Sequence, residues 1–323
     1  MNVLSLFDGI SCARVALDRA GIEVNAYMAS EIDKNAIKVS NKNYPDIIRV
    51  GSVVGLEVEG QIDLLIGGSP CQDLSIAKKG RKGLDGDRSG LFWEYVRIMK
   101  ECKPQWFILE NVASMPQADR DIITREMGVE PVMFNASLVS AQSRKRLFWT
   151  NIPFTLPEDK GILLKDILQS NVDDSFYVNK TMNANGKTTG KVGYIGEGEQ
   201  YGQGGQAHRV YSTDGKTPTL SSGPALVKIG HIGGSDAQAN RVYETNGKSC
   251  TLSANGGGLG AKTGLYQSND RIRKLTPVEC ERLQGLPDNY TEGVATTHRY
   301  KCLGNAFNVD VIAHILTRVK LMY

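Results

Sequence analysis

Ile62-Asp63-Leu64-Leu65-Ile66-Gly67-Gly68-Ser69-Pro70 is a short, nearly continuous apolar run halted by two glycines and a proline. A run of this length without polar alternation reads as a strand buried on both faces, as in a parallel sheet covered by helices. The flanking sequence supplies the rest of such a sheet. Residues 3–7 are another apolar run, followed by a helical stretch at 13–20 that ends at Gly21; residues 24–29 read as strand and 34–43 as helix, closed by Tyr44-Pro45. Beyond the glycines, 91–100 has helical periodicity, 106–109 is a further buried strand, and 132–139 and 147–151 follow. Strands alternating with helices imply right-handed crossovers and an α/β fold with a doubly wound, mostly parallel sheet. Ligands bind such sheets at the carboxyl ends of the strands, so the residues just after Phe7, Ala29, Ile66 and Leu109 converge on one rim.

Composition narrows the class. The 323 residues are 41% hydrophobic and 23% charged, which excludes wholesale disorder and suits one large domain or two smaller ones. No apolar run reaches the length of about 18 residues that a membrane span needs, and the N-terminus lacks the basic region of a secretory signal. The six cysteines are scattered without a C-x-x-C pair, so neither a metal site nor a disulfide framework is expected, and a reducing cytoplasm fits. The net charge of +3 hides an asymmetry: residues 175–274 carry 12 Lys/Arg against 6 Asp/Glu, together with 19 of the 35 glycines. This stretch reads as a smaller β-and-loop domain over 171–270, set between a first domain over 1–170 and a segment over 271–323 that returns to it. Thr276-Pro277 opens that return as a capped helix, and 308–322 is apolar at helical spacing. A basic β lobe suits a polyanion or a solvated surface. It also contains a repeat: QAHRVYSTDGKTPTLSS at 206–222 matches QANRVYETNGKSCTLSA at 238–254 in 11 of 17 positions. With Asp214-Gly215 and Asn246-Gly247 as turn dipeptides, the repeat reads as a duplicated hairpin.

The strand ends carry the chemistry. Phe7-Asp8-Gly9 closes the first strand in a tight turn, and Glu31 closes the second. A glycine turn and an acid in these places suit an adenosine-type ligand, the acid accepting both ribose hydroxyls. The G-x-G-x-x-G phosphate cradle is absent, which disfavours a dinucleotide and with it an NAD-dependent dehydrogenase. Cys71 follows Pro70 at the rim, and the basic, glycine-rich stretch at 78–90 favours its thiolate and is long enough to be a lid. The other five cysteines read as small core hydrophobes. Glu110 ends the strand FILENV, where partial desolvation suits it to act as an acid. In SAQSRKRLFW, Gln142, Arg144 and Arg146 follow; alternation puts both arginines on one face, where they hold Glu110, a phosphate or a base edge, or face solvent.

In order, FDGIS, SEID, GGSPCQDLS, FILENV, QSRKRLFW, RKLTPVECERLQGLP and GNAF resemble the motifs of the DNA cytosine-5 methyltransferases. The resemblance spans the chain except for about 170–270; its wording is nearest the de novo type, in a compact bacterial or phage-like form. It implies a Rossmann-like methyltransferase that uses S-adenosylmethionine. Cys71 attacks carbon 6 of cytosine, Glu110 protonates or hydrogen-bonds ring nitrogen 3, Arg146 with Arg144 orients Glu110 and the base, and Asn111 supports the Pro-Cys loop. Phe7, Asp8, Gly9, Ile10, Glu31, Ile32, Pro70 and Asn305 line the cofactor, and Ser52 stands where many relatives carry an adenine-binding Asp. The variable segment is the target-recognition domain, whose Thr-Leu pair is either Thr219-Leu220 or Thr251-Leu252. Ser75, Arg88, Arg209, Lys216, Thr219, Arg241, Lys248 and Thr251 are the implied DNA contacts, with no metal and no membrane. The expected setting is a monomer on double-stranded DNA in the cytoplasm of a bacterial or phage-infected cell, with a restriction endonuclease as candidate partner. Two alternatives stand beside it. A tRNA cytosine-5 methyltransferase is disfavoured by the long variable segment, and a catalytically silent DNA-binding relative by the intact Pro-Cys and Glu-Asn-Val.

Overall fold

The computed structural model describes residues 1–70, 89–178, 182–183, 226, 228–232, 237–254, 258–268 and 271–321. The expectations for Cys71, Ser75, Arg88, Arg209, Lys216 and Thr219 therefore lie outside the described residues, as does the whole first copy of the repeat.

Seven strands form the main sheet: β1 (Asn2–Leu6), β2 (Ala26–Ser30), β3 (Ile48–Gly51), β4 (Leu64–Gly67), β5 (Trp106–Val112), β6 (Val132–Asn135) and β7 (Lys145–Thr150). Their order is β3-β2-β1-β4-β5-β7-β6. All neighbouring pairs are parallel except those of β7, which runs antiparallel to both β5 and β6. The order reverses between β1 and β4, which opens a crevice at their carboxyl ends.

Side-chain alternation explains why the central strands look uniformly apolar. Val3, Leu64 and Ile66 enter a core with α1 (Cys12–Ala20), α2 (Lys34–Asn43), α5 (Pro277–Leu283) and α7 (Val309–Lys320). Leu4, Leu6 and Leu65 point the other way, into a core with α3 (Phe92–Cys102) and α4 (Gln117–Met127). With a helix layer on each face, both parities must be apolar. The segment after 271 returns to this sheet: α7 packs on α1, and Arg19 meets Asp310 at 2.6 Å. α5 begins as its sequence requires, Thr276 capping Glu279 N while the Glu279 carboxylate reaches back to Thr276 N at 2.9 Å.

A second, smaller sheet has the order β12-β11-β10-β9-β8, built from β8 (Met182–Asn183), β9 (Lys228–Ile232), β10 (Arg241–Tyr243), β11 (Leu265–Ser268) and β12 (Arg271–Arg273). Here the structure corrects the hairpin reading of the second repeat copy. β10 pairs antiparallel with β9 and parallel with β11, not with the segment after Gly247. Residues 245–252 instead cross to the main lobe, where Ser249 N donates to Ala141 O at 2.7 Å and Leu164 N donates to Gly247 O at 2.9 Å. Cys250 and Leu252 are buried in the main core. The carbonyls of Thr245, Gly247 and Ser249 and the N–H of Ser249 are bonded to residues 141–165, so they do not close a hairpin.

Candidate active site

The rim at the end of β4 is shaped by two glycines. A Cβ on Gly67 would lie 2.8 Å from Leu6 O, and one on Gly68 would lie 2.8 Å from Phe307 Cε1 and 3.1 Å from Glu110 Oε2. Only a residue without a side chain lets β4 run this close to β1 and to the ring of Phe307. Ser69 is buried, and Asn111 Nδ2 donates to its Oγ at 3.1 Å and to its carbonyl at 3.4 Å. The residue after Glu110 thus grips the turn leading to Pro70 and Cys71.

Strand register brings Glu110 and Arg146 together. On β5 and β7, Glu110 lies opposite Phe148 and Val112 opposite Arg146. Arg146 is two residues from Phe148 and on its face, so it reaches Glu110 diagonally. Arg146 Nε sits 2.7 Å from Glu110 Oε1, with the side chains 16% and 13% exposed. A charge-assisted bond in so sheltered a place fixes the carboxylate's orientation.

Arg144 takes a different place from the one the motif implies. Buried at 3% exposure, it donates to Ala306 O at 2.9 Å, to Gly304 O at 3.2 Å and to Leu252 O at 3.5 Å. Its guanidinium holds the C-terminal end of the helix over Thr296–Asn305 and Ala306, just before Phe307, and it lines a small cavity with Glu110, Arg146, Phe148 and Phe307. Gly304 serves the same junction: its Cβ would fall 2.4 Å from Ala254 N, so the small lobe's backbone lies directly on it. Phe307 is absent from the sequence expectations, although the GNAF motif is the signal that points to it. Gln142, also in the arginine motif, is completely buried, and neither polar atom of its amide has a hydrogen-bond partner among the described residues.

The expected cofactor residues separate into a rim group and an inward group. In the turn after β1, Gly9 has φ +61°, nothing among the described residues within 4 Å of where a Cβ would stand, and an N–H that donates to Glu31 Oε2 at 2.8 Å. Glu31 Oε1 accepts from Ile32 N and Asp33 N, each at 2.8 Å, which clamps the carboxylate at the end of β2. Ile32 is 74% exposed. Phe7 and Pro70 are half-buried, Ser52 and Asn305 exposed, and Ser52 Oγ accepts from Val54 N at 3.1 Å. Asp8 and Ile10 point inward, which corrects their expected place in the lining. The Asp8 carboxylate accepts from Tyr27 at 2.7 Å and from Ser11, lies 3.5 Å from Arg49, and is pushed above the usual carboxylate range by burial. Ile10 is a core residue whose carbonyl accepts from the Tyr290 hydroxyl at 2.8 Å. The open space over Gly9, the oriented acid and the exposed apolar Ile32 fit an adenosine-type cofactor such as S-adenosylmethionine.

Of the expected DNA contacts, Lys248 is overturned. Its side chain is 2% exposed and its ammonium donates to Ser137 O, Ile162 O, Ser140 O and Asp159, so it cannot meet a phosphate. Thr251 donates to Ser143 O at 2.6 Å, and Arg241 is half-buried at the start of β10. Among the described residues no group of three or more His, Cys, Asp or Glu could hold a metal ion, and no helix is long and apolar enough to cross a membrane.

Residues 1–321 match the family of C-5 cytosine-specific DNA methylases. The type II methyltransferase M.HhaI of Haemophilus parahaemolyticus is 29% identical over 354 residues, covering 98% of this chain and 93% of the relative. The orphan methyltransferase M.SPRI of Bacillus phage SPR is 24% identical, covering 98% and 96%. Among solved structures, the Entamoeba histolytica methyltransferase EhMeth superposes with a TM-score of 0.68 at 15% identity, over 100% of this chain and 99% of that one. The S. pombe Dnmt2 methyltransferase gives 0.64 at 16% identity, over 100% and 99%. These last two share the fold. With the family match running nearly end to end, the chain belongs to the C-5 cytosine-specific DNA methylases.

Proposed function

We propose that the rim formed by Ser69, Pro70, Glu110, Asn111 and Arg146, with Cys71 next in the chain after Pro70, methylates carbon 5 of one cytosine within a specific site in duplex DNA. Carbon 5 is a poor nucleophile, and neither it nor carbon 6 is reachable in a stacked duplex, so the base is extruded into the rim. The Cys71 thiolate forms a bond to carbon 6, and the electron pair of the 5,6 double bond moves into the ring. Glu110, held by Arg146, gives a proton or a hydrogen bond to ring nitrogen 3, which makes the adduct enamine-like at carbon 5. Gly9, Glu31 and Ile32 would hold S-adenosylmethionine, which would supply an electrophilic methyl group to carbon 5 and leave as S-adenosylhomocysteine. With the methyl group on carbon 5, transfer of the carbon-5 proton to solvent, cleavage of the bond between Cys71 Sγ and carbon 6, and return of the nitrogen-3 proton to Glu110 restore the aromatic base and free Cys71.

The observation that carries this reading is the sheltered Glu110–Arg146 pair beside the Gly68–Phe307 contact, three residues from Cys71. The reading includes action as a monomer in the cytoplasm, on sites set by the small lobe. A restriction endonuclease alongside fits it, since relatives include both type II and orphan enzymes. Incubation with duplex DNA and labelled S-adenosylmethionine, followed by bisulfite sequencing, tests it. New 5-methylcytosine at a fixed DNA site supports it, and label entering only tRNA overturns it.

A further inference from the structure

Arg146 closes the β5–β7 ladder, while its other side lies opposite Phe134 of β6 in a ladder that runs one residue further, to Lys145 opposite Asn135. The β5–β7 pairing runs from Ile108 opposite Thr150 to Val112 opposite Arg146, and there it stops. The last rung of a ladder frays unless something beyond it holds the chain. What lies beyond is the segment 141–144, and a strap from the small lobe is laid along it. Ser249 N donates to Ala141 O at 2.7 Å, Ser143 N to Ser249 O at 2.9 Å, and Thr251 Oγ1 to Ser143 O at 2.6 Å. On its other side the strap accepts from Leu164 N and Lys165 N, through Gly247 O and Thr245 O, each at 2.9 Å. The strap starts only two residues after β10 ends at Tyr243, so its position is tied to the small sheet.

Lys248 is the pin of this strap. Its ammonium enters the main lobe and donates to Ser137 O at 2.7 Å, Ile162 O at 2.8 Å and Ser140 O at 3.3 Å, with Asp159 Oδ1 at 3.2 Å. One side chain therefore ties together the strap, the turn at 137–140 and the turn at 159–162. Burying a charge this completely contributes little net stability compared with apolar packing, but it permits only one geometry. The strap is held again at its other end, where Arg144 donates to Leu252 O at 3.5 Å. Arg146 is two residues past that second clamp.

We propose that Lys248 is a positioning residue: its buried ammonium fixes the strap that keeps the last β5–β7 rung in place, so that the small lobe sets the Arg146–Glu110 pair. This rests on the assignment of Glu110 and Arg146 to the chemistry. The lysine that the second repeat copy shares in sequence with the first thus couples the lobes.

Lys248→Met keeps the stem and removes the ammonium, and Asp159→Asn keeps the shape of the cage while removing its charge. Both are compared with wild type and Arg146→Lys by thermal unfolding, by cofactor affinity and by single-turnover methyl transfer at saturating DNA and cofactor. Cofactor affinity is expected to be unchanged, while the transfer rate falls by about tenfold or more in Lys248→Met, since a misplacement of about 1 Å at a reacting centre costs up to about 10²-fold. Asp159→Asn is expected to fall less. Lys248→Met is expected to add little to Arg146→Lys, because both act through one pair, whereas a merely structural role makes the two losses multiply. Folded variants with wild-type rates, or losses that multiply, overturn the inference. If Lys248→Met does not fold, Asp159→Asn decides by the same readouts; failure of both to fold assigns the cage to folding and overturns it. A wild-type rate in Arg146→Lys overturns the active-site assignment itself, whereas a loss there with normal Lys248→Met overturns only the role of Lys248.

Discussion

Gly68 and Phe307, 239 positions apart in the chain, are packed so that any side chain on the glycine enters the ring: an added Cβ would stand 2.8 Å from Phe307 Cε1 and 3.1 Å from Glu110 Oε2. The contact joins the strand leading to Cys71, the strand carrying Glu110 and the turn before α7. Gly68→Ala is expected to cost about 1–3 kcal/mol of stability through overpacking and to reduce methyl transfer. Phe307→Leu, which removes the ring edge, is expected to recover part of the stability in the double variant. Denaturant melts of the three variants check this; an alanine tolerated at no cost means the turn relaxes freely.

Cys71→Ser is expected to abolish transfer while leaving binding of DNA and cofactor largely intact, because only the nucleophile changes. Duplex DNA with 5-fluorocytosine at the target is expected to trap wild type covalently, since fluorine cannot leave as the proton does. A denaturing gel reads the adduct. Active enzyme that forms no adduct contradicts the covalent route.

Glu110→Gln retains a hydrogen bond to Arg146 and loses the acid. Its single-turnover rate is expected to fall by about 10²–10⁴-fold, the range for a lost general acid. A near-normal rate places the acid on another residue.

Asp8 gives a pH test of the turn under the cofactor rim. Burial raises its carboxyl above the usual range in spite of the bonds from Ser11 and Tyr27 and the nearby Arg49. A carboxyl that holds its proton more tightly in the folded chain favours folding at low pH, and that advantage is lost as pH rises from the unfolded value of about 4 through the folded one. Asp8→Asn has no such titration. The stability of wild type relative to Asp8→Asn is therefore expected to decline with rising pH across that window. Paired urea melts at a series of pH values measure it, and a difference moving toward wild type reverses the sign.

The strands around the rim were legible from local sequence because a sheet covered on both faces demands apolar residues at both parities, and residues 64–67 and 106–109 meet that demand without outside help. The motif residue Glu31 was legible too, since it stands just past the end of β2, whereas Glu110 and Asn111 were marked by their motif and lie within β5, which runs on to Val112 past the strand end expected at 109. Two helices, α4 and α6 (Thr296–Asn305), have no counterpart among the sequence expectations. α4 buries only Ile123 and Met127, and α6 buries Cys302, Leu303 and Gly304, consecutive positions that leave no helical stripe. Lys248 shows the limit most clearly. Asn246-Gly247-Lys248 reads locally as a turn with a solvated lysine, yet the cage that buries it is built from residues 86 to 111 positions away. The same holds for Arg144, whose acceptors at 252, 304 and 306 come from the other end of the chain. Residue type and spacing determine which groups are chemically able to act and which faces must be apolar. Which arginine meets the acid and which lysine leaves the solvent is decided by strand register and by long-range backbone acceptors, because a buried charge goes wherever the folded chain gathers partners for it.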